Sequence, residues 1–80
     1  MTLEAYYNNK LVENGMWHGQ AVEVIKLAKT DMPELKDRWN DDISGYPKEF
    51  LSVTWFAIKR YALQWIDKNL PSAFYRQMFV

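Results

Sequence analysis

A chain of 80 residues without a single cysteine has to hold itself together by packing, and this one carries thirteen aromatic side chains, four of them Trp. The same absence excludes disulfides, thiolate nucleophiles and cysteine-based zinc or iron–sulfur centres. Chains of this size have little margin between the burial they gain and the entropy they lose, so they rely on staples, metals, a second copy or bulky side chains. Each aromatic takes roughly 200 Å² out of water when buried. Bulk of that kind, or a second copy of the chain, can close the gap.

The length suits one domain, residues 1–80, and leaves no room for a second. About half the residues are apolar and a quarter charged, with three Gly and three Pro, which is the composition of a globular chain. Formal charge is zero but uneven. Residues 31–47 hold Asp31, Glu34, Asp37, Asp41 and Asp42 against Lys36 and Arg38, whereas Lys48, Lys59, Arg60, Lys68 and Arg76 face only Glu49 and Asp67 in 48–80. A polyanion binder shows a larger and more clustered basic excess, so nucleic acid is not the expected partner. The start, Met1-Thr2-Leu3-Glu4-Ala5-Tyr6-Tyr7, lacks a basic leader followed by an apolar stretch. The longest uncharged run of the apolar part, Phe50 to Ile58, is less than half of the roughly 20 residues that span a bilayer. A cytoplasmic chain with no membrane partner is expected.

Periodicity and punctuation predict an all-α fold, a compact bundle of about four to five helices with one long central helix. Thr2 caps a first helix with Leu3, Tyr7 and Leu11 on one stripe, ending at Asn14-Gly15. Asn-Gly is also a hairpin signal, so two short strands over 5–13 and 16–25, in an α+β fold, are the alternative. A second helix over about 19–29 puts Trp17, Ala21, Val24, Ile25 and Ala28 on one face. Asp31 with Glu34 reads as a capping box for a third, whose buried stripe is Met32, Leu35, Trp39 and Ile43. Ser44-Gly45-Tyr46-Pro47 stops that helix, with Gly at C′, and Pro opens the next. The long helix then runs from about 47 to 68, centred on Leu51, Trp55, Ile58, Ala62, Trp65 and Ile66. A short terminal helix pairs Phe74 with Met78 and Tyr75 with Phe79.

Catalytic chemistry finds little support. The sole imidazole, His18, lies between Trp17 and Gly19, and Ser44, Ser52 and Ser72 have no elbow motif around them. Asp37 and Asp41, at i and i+4 near Glu34, fail the EF-hand pattern and read as a solvated acidic face. No catalytic residue, cofactor or metal ligand is assigned, and a non-enzymatic chain is expected. A helix-turn-helix spacing across 39–47 fails on chemistry, since the second helix offers mostly apolar side chains to base edges. Lys59, Arg60, Lys68 and Arg76 interleaved with Trp65 and Tyr75 are the alternative, a single-strand nucleic-acid track.

The long helix is apolar on a second side, where Phe56 and Leu63 lie seven residues apart with Glu49, Arg60 and Asp67 nearby. An interface fits that pattern, so Phe56, Leu63, Arg60 and Asp67 are the expected partner-binding residues, with Asp37 and Asp41 of the acidic segment behind them. Glu49 through Ala62, then Asp67-Lys68-Asn69-Leu70-Pro71-Ser72 with aromatics after it, resembles the end of the small Hha/YmoA-type helical modulators. Those act on nucleoid-associated proteins, so the resemblance, confined to the last third, implies a protein partner. The expected function is protein binding by a small accessory or inhibitor protein of the kind that phages and plasmids carry, possible homodimer included; a nucleic-acid-binding or nucleoid-associated regulator is the alternative.

Overall fold

The structure, a computed structural model, describes residues 1–70 and 73–79. Three helices build it: α1 (Leu3–Glu13), α2 (His18–Asp31) and α3 (Lys48–Asn69), followed by a single turn, α4 (Ala73–Arg76). Short 3₁₀ turns cover Pro33–Leu35, Ile43–Gly45 and Gln77–Phe79. The all-α expectation holds; the expected four to five helices do not, because three carry the fold and the third predicted helix is absent. A helix of 22 residues is about 33 Å long, close to the 37 Å long dimension of the molecule, so α3 is the spine.

The N-terminal hairpin alternative is overturned, since residues 3–13 and 18–31 are helical. Thr2 Oγ1 accepts from the Ala5 amide at 3.1 Å, which starts α1. At its other end Gly15 takes φ +117°, the Met16 amide donates to the Leu11 carbonyl, and the Gly15 amide donates to that of Val12. Those two bonds are a Schellman closure, and Leu11 and Met16 are both buried against the core as that motif requires. Asn-Gly therefore ends a helix instead of turning a hairpin.

A side chain at Gly15 would meet two penalties. Its φ lies where L-residues are strained, and an added Cβ would sit 2.5 Å from Met78 Sδ, in the C-terminal turn. Gly15→Ala is expected to destabilise by about 1–3 kcal/mol, the left-handed penalty plus displacement of Met78. Thermal melting checks it. A cost near zero would mean that neither the closure nor the Met78 contact holds the chain end in place.

Residues 32–43 read as helix and are not one. Their amides bond three residues back, Leu35 to Met32, Lys36 to Pro33, Arg38 to Leu35 and Asp41 to Arg38, which is 3₁₀ and turn geometry. The carbonyls of Trp39 and Asp41 are taken by other donors: they accept from the amides of Glu4 and Leu3 at 3.0 and 2.9 Å. This strap thus satisfies the free N–H groups that open α1. Its side chains keep the predicted order, with Met32, Leu35 and Trp39 buried and Ile43 partly so. Asp31 ends α2 instead of capping a new helix. Gly45 lies inside a 3₁₀ turn without a positive φ, and Pro47 is the N-cap of α3.

The core is the meeting of α1, α2 and α3 under this strap. Leu3, Tyr7 and Leu11 of α1, Ala21, Val24, Ile25 and Ala28 of α2, and Ile58, Ala62 and Ile66 of α3 are buried. On α3 the buried line is Thr54, Ile58, Ala62 and Ile66; Leu51, Trp55 and Trp65, expected at its centre, flank it half-buried. Trp17 departs further and stands 78 % exposed. It is the N-cap of α2 with extended backbone, so its side chain leaves the helical stripe and Met16 fills the core position instead. Phe79 is buried and Tyr75 is not; Ser72, Val80 and the side chain of Phe74 lie outside the described residues, and with them the expected Phe74–Met78 pair.

Candidate protein-binding surface

Because the buried line of α3 runs through Thr54, Ile58, Ala62 and Ile66, its opposite side carries Glu49, Val53, Phe56, Arg60 and Asp67. Val53 is 69 % and Phe56 62 % exposed, three residues apart on adjacent turns. Lys59 Nζ lies 4.6 Å from the centre of the Phe56 ring, a cation–π contact that orients the ring on the surface. Glu49 and Arg60 are exposed at either end of this pair. Among the described residues neither has an ion-pair or hydrogen-bond partner.

The expected site residues are dispersed unevenly. Phe56 and Arg60 share this face. Leu63 is half-buried and packs against the core, so it does not extend the exposed patch. Asp67 accepts from Arg76 Nη1, which ties the C-terminal turn to the end of α3. In the acidic segment Asp37 is exposed beside a cleft of about 440 Å³ that Lys29, Lys36, Trp39 and Asn40 also line. Asp41 accepts from the Tyr46 hydroxyl at 2.6 Å, and this bond raises the Tyr46 pKa. Asp42 accepts from the amino group of Met1 and from Ser44, and the Met1 contact above all holds its pKa far below the usual carboxylate range. The acids thus serve separate local contacts. Among the described residues no group of three or more His, Cys, Asp or Glu side chains could hold a metal ion.

The basic residues do not converge either. Lys59 and Lys68, nine residues apart on α3, point to opposite sides of it at 100° per residue, and Arg76 is engaged by Asp67. His18 is exposed at the first position of α2 and hydrogen-bonds to no serine among the described residues. No helix among the described residues is long and apolar enough to cross a membrane.

Sequence reasoning missed three surface features. Val53 sits three residues before Phe56, and its place on the outward side is readable from that spacing alone. Trp17 needed the extended cap geometry to be known. The third is a groove of about 580 Å³ between α2 and α3, bordered by Lys26, Leu27, Gln64 and Lys68, in which Trp65 Nε1 donates to Glu23 Oε2 at 3.0 Å. That bond joins residues 42 positions apart, which no local pattern signals. Comparison of the chain with protein-family models, with curated proteins and with solved structures found no match, so the resemblance to the helical modulators gains no family support.

Proposed function

We propose that this protein is a non-enzymatic protein-binding module whose contact surface is the outward face of α3, centred on Val53 and Phe56. The observation that carries the reading is the pairing of two large apolar side chains, 69 % and 62 % exposed, on the spine of the fold. Among the described residues most other bulky side chains pack on or beside the core. An apolar centre with Glu49 and Arg60 at its rim has the anatomy of an interface, where aromatic anchors dominate the energetics. Placement on a long helix adds rigidity, so little entropy is lost when a partner docks.

Phe56→Asp separates this reading from a structural role. The ring makes few core contacts, so the melting temperature should stay within the change expected for a surface substitution, about 0.5 kcal/mol. Capture of partner protein by the tagged chain should fall at least tenfold, measured by quantitative pull-down against wild type. A clear drop in melting temperature would make Phe56 a core residue. Undiminished capture would place the contact elsewhere, with the acidic segment around Asp37 and Asp41 next to be tested.

A further inference from the structure

We infer, building on the surface just proposed, that its occupant is a second copy of this chain, docked antiparallel along α3. The outward residues Glu49, Val53, Phe56 and Arg60 recur at spacings of four, three and four, the alternation that forms a helix–helix seam. Their order is acid, apolar, apolar, base. When Val53 is laid opposite Phe56 of an antiparallel second copy, the same register sets Glu49 opposite Arg60, and the two-fold axis repeats both contacts. A parallel copy would instead oppose Glu49 to Glu49 and Arg60 to Arg60.

The two exposed charges are placed to take such a partner. Eleven residues of helix hold Glu49 and Arg60 about 16 Å apart, so they cannot neutralise each other within one chain. In the antiparallel register both are paired across the axis, and like-charge contact disfavours the other orientation. Ser52 and Ala57, one on each flank of the seam, are small enough to let the helices approach to about 8–10 Å. Three turns of helix bury less than the roughly 1,200 Å² of a standard interface, which puts the pair in the size class of weak, reversible contacts.

Sedimentation equilibrium on the full chain at low salt, up to about 1 mM protein, tests this. Wild type should dimerise. Glu49→Arg alone and Arg60→Glu alone each place two like-charge contacts across the axis, and each should raise Kd at least tenfold. An equimolar mixture of the two variants should recover dimer of wild-type strength or better, because every swapped side chain then faces its opposite charge. Recovery also shows that both variants are folded. Wild type that stays monomeric, single variants that dimerise as wild type does, or a mixture that fails to associate would each overturn the dimer. A monomeric wild type whose Phe56→Asp variant still loses partner capture would overturn the dimer while leaving the binding surface standing.

Discussion

Tyr7→Ala is expected to leave a large part of the chain unfolded at 37 °C. Tyr7 is fully buried, its ring lies parallel to Trp55 at 6.4 Å and edge-on to Tyr6 at 5.0 Å, and its hydroxyl donates to the Leu51 carbonyl at 2.9 Å. Removing a buried aromatic costs about 3–5 kcal/mol in lost transfer and cavity terms. A chain of this length has a total stability of only about 4–12 kcal/mol at 0.05–0.15 kcal/mol per residue. The melting temperature should therefore fall by roughly 15–30 °C, read by circular dichroism. A fall under about 5 °C would mean that α1 is not pinned to α3 through this residue.

The hydroxyl of Tyr7 makes a separate, smaller prediction in alkali. Burial, the largest cause, pushes its pKa up from 10.0 to about 12. Below pH 10 the phenol is neutral in both folded and unfolded chains, so it adds no pH dependence there. Between pH 10 and 12 the unfolded chain has lost this proton while the folded one keeps it, so stability falls as pH rises. Tyr7→Phe should cost about 1 kcal/mol at pH 7 and show a shallower decline above pH 10 than wild type. Identical slopes would locate the alkaline sensitivity in the other tyrosines.

The second large effect is expected at the C-terminal end. Phe79 is 3 % exposed and meets Trp55 edge-on at 6.5 Å, so the terminal 3₁₀ turn packs on the same indole that stacks with Tyr7. Phe79→Ala should cost about 3 kcal/mol, roughly 12–25 °C in melting temperature. Lys10 adds to this junction, with Nζ 5.4 and 5.3 Å from the ring centres of Tyr6 and Trp55. Phe79→Ala with Tyr7→Ala should be non-additive, because both remove support from Trp55. A melt unchanged by Phe79→Ala would show that the chain end is dispensable for the core.

What could be read from the sequence followed local rules. The cap at Thr2, the closure at Gly15 and the long helix all rest on groups within about five residues of one another along the chain. Their periodicity placed most of the core correctly. Residues 32–43 read as helix because their hydrophobic spacing is helical, while the carbonyls of Trp39 and Asp41 are taken by α1 amides 35 and 38 residues earlier, a choice made by tertiary contact. Trp17 was misplaced for a related reason: one extended cap residue breaks the phase of a stripe. The outward side of α3 was legible through Phe56 and Arg60. Spacing also puts Val53 there, but it does not show that Leu63 packs on the core and leaves the patch.

The outward face of α3 as the surface through which copies of the chain associate is tested most directly by amide NMR of the labelled chain as its concentration rises from about 20 µM to 1 mM. The account predicts progressive shifts confined to residues around Glu49, Val53, Phe56 and Arg60, with Trp17 and the groove beside Trp65 unmoved. Shifts centred on Trp17 or on that groove, with α3's outward residues unchanged, would contradict it.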